Sequence, residues 1–180
     1  MPPKRFRGGS NMSDEKQRFV EFSKPFVDNA RSIFDTMVFT KITTGKPYIK
    51  TDSVSIGDIS STIGINGTVD RDGEELDFKG QFVITFPKPC YLKIAGAMLG
   101  EEYEDLNSEI NDVGAEICNM IIGNTKRDLT QLGFKLNMAI PSTIIGKGHS
   151  IQYTDGVTII VIPIACDHGE FYIEICYKDL

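Results

Sequence analysis

Residues 58–65 and 80–86 read DISSTIGI and GQFVITF, and residues 156–164 and 169–176 read GVTIIVIPI and GEFYIEIC. All four runs are rich in β-branched and aromatic residues, which is the composition of strands. Each pair is separated by polar turn residues: Asp72-Gly73 lies within the polar stretch 70–77, and Asp167-His168-Gly169 joins the later pair. Two hairpins are therefore expected. The first is taken from segments 56–68 and 79–86, with its leading strand ending near Asn66-Gly67.

Outward from these hairpins the same order of elements occurs twice. Ser23-Lys24-Pro25 resembles a helix start, followed by Phe26, Ala30, Ile33, Phe34 and Met37 at helical spacing. Weak strand-like segments follow from Val38, with a break at Gly45-Lys46-Pro47, and then the first hairpin. In the second pass a helix starts among Asp105, Asn107 and Ser108 and runs to about Leu132, a length of about 37 Å. Strand-like segments follow at 134–140, 143–145 and 150–153, and then the second hairpin. A short amphipathic helix at 89–99, ended by Gly100, lies between the two passes. The implied fold is α+β: an antiparallel-rich sheet with two pseudo-symmetric helices on one face.

The 180 residues suit one domain, read here as 15–180, with 41% hydrophobic residues for a core. Residues 1–14 are read as a disordered leader or cloning remnant, with a natural start at Met12. Within residues 1–11, Lys4, Arg5 and Arg7 are basic and no residue is acidic, so the rest of the chain carries a net charge of −9 against −6 overall. That acidic balance argues against nucleic acid or an anionic membrane as partner. No apolar run approaches the roughly 18 residues of a membrane span. With no secretion signal, Cys90, Cys118, Cys166 and Cys176 read as buried, reduced thiols of a cytoplasmic protein. His149 and His168 read as loop or strand-end residues without a second ligand at metal spacing, and no metal or cofactor site is expected.

The chemistry-bearing pattern lies on the long helix. At 100° per residue Leu106, Ile110, Val113, Ile117 and Ile121 share one stripe, which must face the sheet. Asp112, Glu116, Asn119 and Gly123 share another, with Lys126 and Arg127 flanking its far end. Glu116 and Asn119, three positions apart, are neighbours. Asn119 and Gly123 are poor helix formers, together costing about 1–1.5 kcal/mol relative to Ala. Gly123 also lowers the surface so that another protein's backbone can come close. Asn124 falls near the apolar stripe, where its amide needs partners.

The segment VGAEICNMIIGNTKRDL at 113–129 is similar to the signature helix of the CheC/CheX/FliY chemotaxis phosphatases, in which Glu-x-x-Asn is followed by a Gly-Asn pair. LKIAGAMLGEE at 92–102, GKPYIK at 45–50 and the strands IGDISSTIGI and FKGQFVITF also look like CheX sequence in matching order. The resemblance spans about 23–178. It implies dephosphorylation of a phosphorylated CheY-like response regulator, with Asn119 orienting the attacking water and Glu116 engaging the regulator's active-site lysine. Mg²⁺ is then expected on the partner, and Asp112, Gly123, Lys126 and Arg127 become candidate partner contacts. CheC-type members carry the acid/amide pair on both helices. Here the first helix reads Asp28-Asn29-Ala30-Arg31, which points to the CheX branch and implies a homodimer with one site per protomer. The competing reading is a non-catalytic module related to FliN and FliM that uses the same helix only for docking. An enzyme with its own pocket is disfavoured, because no GxxxxGK[ST], G-x-S-x-G, HExxH or GxGxxG motif is present.

Overall fold

The computed structural model describes residues 12–180. The two strong hairpins form the middle of one antiparallel sheet of eight strands. Strands β3 (Ile59–Arg71) and β4 (Glu74–Phe86) pair along 13 residues each, from Ile59↔Phe86 to Arg71↔Glu74. Strands β7 (Ile159–Cys166) and β8 (Gly169–Asp179) form the second hairpin, and β8 pairs with β4 through Phe82↔Ile175. Short strands complete the edges: β1 (Thr43–Thr44) and β2 (Tyr48–Lys50) pair with β7, and β5 (Phe134–Met138) and β6 (Ser142–Ile145) pair with β3.

The order β1-β7-β8-β4-β3-β5 reverses onto itself when the first-half strands are exchanged for their second-half equivalents. The repeated order in the chain is thus a pseudo-twofold arrangement in which each half supplies the edge of the other. Helix α1 (Met12–Ile33) and helix α3 (Val113–Gln131) lie against each other over one face. Helix α2 (Lys88–Leu99) connects the halves, and Gly100, with φ of 73°, closes it. Between helices and sheet lies an aromatic core. Phe22 packs on Phe78, Phe134 and Tyr177, Phe26 stacks on Phe82, and Phe34 stacks on Phe171.

Several expectations are corrected. Helix α1 does not start at Ser23; it starts by Met12 and carries Pro25 in its interior. The Ser23 hydroxyl donates back to the Val20 carbonyl at 3.4 Å instead of capping. An interior proline costs about 3 kcal/mol, and burying Phe22 and Phe26 on one continuous stripe offsets it. Of the expected leader, residues 1–11 lie outside the described residues, and residues 12–14 form the first turn of α1. Strand β3 does not end at Asn66-Gly67. A Cβ on Gly67 would lie 1.9 Å from the Lys135 carbonyl oxygen, so this glycine permits the close approach of β5. The turn itself falls at Asp72-Gly73, as expected, with φ of 55° and 82°, both values positive as a two-residue hairpin turn requires. Residues 150–153 are not a strand of the sheet. They bond to 53–55, through Ser55 N–H to His149 O and Ile151 N–H to Ser53 O, and the two segments cover the face that has no helices.

Helix α3 begins at Val113, not among Asp105–Ser108. The cause is Tyr91 of α2. In a continuous helix the Gly114 N–H would bond the Ile110 carbonyl. Here the Tyr91 hydroxyl stands between them, accepting from Gly114 N–H at 3.0 Å and donating to Ile110 O at 2.6 Å. The preceding chain is satisfied locally, with the Asn107 side chain accepting from the Glu109 and Ile110 amides. The helix is 19 residues long, or about 28 Å.

The helix-free face buries charge. Lys50 Nζ donates to Glu174 Oε1 at 2.9 Å, and the Tyr153 hydroxyl donates to Glu174 Oε2. Glu174 is fully buried. Burial first, and then the bond to Glu174, push the Tyr153 phenol far above its ordinary value. Beside them Ser55, Ser60 and Thr85 share hydroxyl contacts of 2.7–2.9 Å, and His149 Nε2 reaches Ser60 at 2.7 Å. His149 is therefore half-buried and engaged, more than a loop residue would be.

Lys50→Met is expected to destabilise the fold by about 3–5 kcal/mol in urea unfolding, because Glu174 loses its cation inside the protein. The double variant Lys50→Met/Glu174→Leu should recover most of that loss. Tyr91→Phe retains the ring but orphans the Gly114 N–H, while the Ile110 carbonyl keeps only the Val113 N–H at 3.1 Å. A loss of about 1–3 kcal/mol is expected, with faster hydrogen exchange at the Gly114 amide as the local readout.

Candidate functional site

The inward face of α3 is apolar as its periodicity requires: Val113, Ile117, Cys118, Ile121, Ile122 and Leu129 are buried. Ile110 is buried and Leu106 half-buried just before the helix. Gly114 sets how closely the first turn approaches the sheet. A Cβ there would lie 2.7 Å from the Ser61 hydroxyl and 3.3 Å from the Tyr91 ring. Any larger residue would lift the helix start.

The outward face carries the predicted stripe. Asp112, Glu116, Asn119, Gly123, Lys126 and Arg127 are all exposed. Asp112 stands at the N-cap position and makes no side-chain cap bond; its carbonyl accepts from the Glu116 amide at 3.0 Å, the first regular turn of the helix. Among the described residues no side chain hydrogen-bonds or ion-pairs with Glu116 or Asn119. A carboxylate and a carboxamide therefore stand side by side, both free to engage a group from outside. A Cβ on Gly123 would meet nothing within 4 Å, so the glycine leaves an open step in the surface. Lys126 makes no ion pair among the described residues, and Arg127 reaches only its neighbour Asp128, at 3.6 Å. Asn124 is half-buried and keeps contact with water.

The pseudo-symmetric helix provides no second site. Asn29 of α1 is turned inward, where its amide donates to Pro25 O at 2.8 Å, Asp128 Oδ2 at 2.7 Å and Thr125 Oγ1 at 3.3 Å. It joins the two helices and is buried. A groove of about 610 Å³ runs between the start of α1 and the ends of β7 and β8, and no residue of α3 lines it. Among the described residues no group of three His, Cys, Asp or Glu side chains could hold a metal ion, and no helix is long and apolar enough to cross a membrane.

Sequence patterning finds every residue of the stripe and misses what supports it. Tyr91 and Gly114 fix the start of α3, yet Tyr91 lies on another helix and no spacing links the two.

The family described as chemotaxis phosphatase CheX matches residues 59–165, a span that contains Glu116 and Asn119. A CheC-like superfamily protein from Shewanella sp. PV-4 is 34% identical, with a TM-score of 0.76 over 88% of this chain and 98% of the other. The chemotaxis protein CheX from Vibrio vulnificus is 36% identical, with a TM-score of 0.74 over 88% of this chain and 99% of that one. A structure of the CheX–CheY–BeF3–Mg²⁺ complex from Borrelia burgdorferi matches at 26% identity and a TM-score of 0.70, over 87% of this chain and 97% of that one. FliY from Thermotoga maritima, at 15% identity and a TM-score of 0.61, shares the fold. Comparison with curated protein sequences finds no match. With its fold, its family match and relatives above 30% identity covered almost end to end, this chain belongs to the CheX family.

Proposed function

We propose that this chain is a phosphatase acting on the aspartyl phosphate of a CheY-type response regulator in chemotaxis. The observation that carries the reading is the exposed, unpartnered Glu116–Asn119 pair on α3. A Borrelia burgdorferi CheX is found in complex with CheY, and this chain shares that protein's fold over most of its length.

The reaction asks little of the chain. An acyl phosphate on a receiver domain arrives with its own electrophile, a bound Mg²⁺ and a lysine, so the enzyme must add a placed nucleophile. An amide can accept from and donate to one water without being consumed. Asn119 holds the water in line with the phosphorus–carboxylate oxygen bond. The water oxygen attacks phosphorus, that bond breaks, and inorganic phosphate and a free aspartate result. Glu116 engages the partner's lysine and so sets the angle at which α3 enters. Positioning and electrostatics supply most of the rate in phosphoryl transfer. Gly123 admits the partner's backbone one turn further on, and Asp112, Lys126 and Arg127 lie at the ends of the same contact. The reading includes a cytoplasmic homodimer with one site in each protomer.

Phosphate release from phosphorylated receiver domains should be accelerated by the wild-type chain. Asn119→Ala is expected to lower kcat by about 100-fold, with a denaturation midpoint that is not lowered, because the side chain is exposed and Ala is the better helix former. Unaltered turnover in that variant would remove Asn119 from the mechanism, and receiver binding without faster phosphate loss would leave a docking module. Gly123→Ala should stabilise the helix by about 1 kcal/mol while raising KM, because its new methyl fills the open step. Chemical denaturation and steady-state kinetics on the same preparation check both effects.

A further inference from the structure

Two of the four thiols converge on one glycine. Cys166 ends β7 and is paired directly opposite Gly169, the first residue of β8. The Cys166 thiol donates to the Gly169 carbonyl oxygen at 3.4 Å. Gly169 has a φ of 121°, and the position a Cβ would occupy lies 3.5 Å from Cβ and 3.6 Å from Sγ of Cys90. Cys90, on the first turn of α2, thus fills the space that Gly169 leaves beside Cys166. Burial, and then the nearby Cys166 thiol, push Cys90 up to about 12, with Lys93 opposing weakly. Cys118 and Cys176 are buried with no thiol neighbour of this kind. Cys166 alone of the four is partly open to solvent, which corrects the expectation that all four are buried.

We propose that Cys90 and Cys166 form a redox-modification site, a dithiol that hydrogen peroxide converts to a disulfide tying α2 to the β7–β8 turn. Cys166, the accessible sulfur, attacks one peroxide oxygen as its thiolate. The O–O bond breaks, hydroxide leaves, and Cys166 becomes a sulfenic acid. Cys90 then attacks the Cys166 sulfur as its thiolate, the S–S bond forms, and a second hydroxide leaves. The two hydroxides take up the two thiol protons, so two thiols and one peroxide give one disulfide and two waters. Burial disfavours the Cys90 thiolate, so the accessible Cys166 meets peroxide first and Cys90 reacts second, through its minor ionised fraction. A cysteine pair of this kind in a reducing compartment fits reversible sensing better than a structural bridge.

The bond also reaches the candidate site. Tyr91, the next residue after Cys90, holds the first turn of α3 through Gly114 and Ile110. Drawing Cys90 to the roughly 2.05 Å of an S–S bond displaces the turn of α2 that presents this hydroxyl. The regulatory part rests on the phosphatase reading above; the disulfide does not.

The full chain is treated with hydrogen peroxide and followed by intact mass and non-reducing peptide mapping, and turnover of a phosphorylated receiver is measured in parallel. The expected result is a loss of about 2 Da, the two hydrogens of a dithiol, in a peptide joining Cys90 to Cys166, restored by dithiothreitol. Cys90→Ala should instead gain oxygen at Cys166. Peroxide that leaves both thiols free, or that oxygenates wild-type Cys166 without linking Cys90, overturns the site. Turnover should change several-fold on oxidation and return on reduction in wild type, and not in Cys90→Ala. A disulfide that leaves turnover unchanged overturns the coupling to α3. A reduced wild type without turnover counts against the phosphatase reading, while the peptide map still decides the dithiol.

Discussion

The antiparallel pairing of β4 with β8 is the constraint from which the rest of the molecule follows. It joins the last strand of one half to the last strand of the other, with Phe82 opposite Ile175 and Ile84 opposite Ile173. Neither half closes a sheet alone, because β1 and β2 border β7 while β5 and β6 border β3. Both long helices must then cover the same face, side by side. Phe22 and Phe26 of α1 and Ile117 and Ile121 of α3 share one core with the strands of both halves. Exchange of edges between the halves makes the domain one cooperative unit, and the face of α3 turned away from it is left exposed.

The pseudo-symmetry stops at the helices, and the break decides where chemistry can occur. Each helix carries an asparagine. Asn29 is spent on the seam, bonded to Pro25, Thr125 and Asp128, whereas Asn119 faces solvent with no partner among the described residues. The difference is one of helix phase. Asn29 immediately precedes buried Ala30 on the contact side of α1, while Asn119 falls opposite the Ile117–Ile121 stripe. A carboxamide with three bonds inside the protein cannot position a water for an incoming group.

Helical periodicity revealed the outward stripe of α3 because 3.6-residue spacing leaves no freedom once Ile117 and Ile121 must be buried. The hairpins were legible for the same reason at a period of two. Four features were not. The start of α1 was misplaced because Pro25 is a strong local stop signal, and its override comes from Phe22 and Phe26 meeting strands more than 50 residues away in the chain. The start of α3 was misplaced because a hydroxyl from another helix interrupts its first turn. The leading hairpin strand was ended too early, near Asn66-Gly67, because the requirement for glycine there comes from β5, which has no local signature. The Cys90–Cys166 pair is likewise invisible to motif spacing, since the two residues meet only through the β7–β8 turn.

Stability and candidate chemistry thus occupy opposite sides of a single helix. Glu116 and Asn119 contribute no packing, so selection can act on them with little effect on the fold. Their placement depends on residues that contact no partner: Gly114 for the depth of the helix, Tyr91 for its first turn, and the Ile117–Ile121 stripe for its rotation. Of these supports only the first turn is reached from outside the core, through α2. Loss of the buried stripe would unfold the domain, but a shift of α2 can move the start of α3 and leave the sheet intact. The end of α3 nearest Glu116 is therefore where a change outside the exposed stripe can alter the site and leave the fold standing.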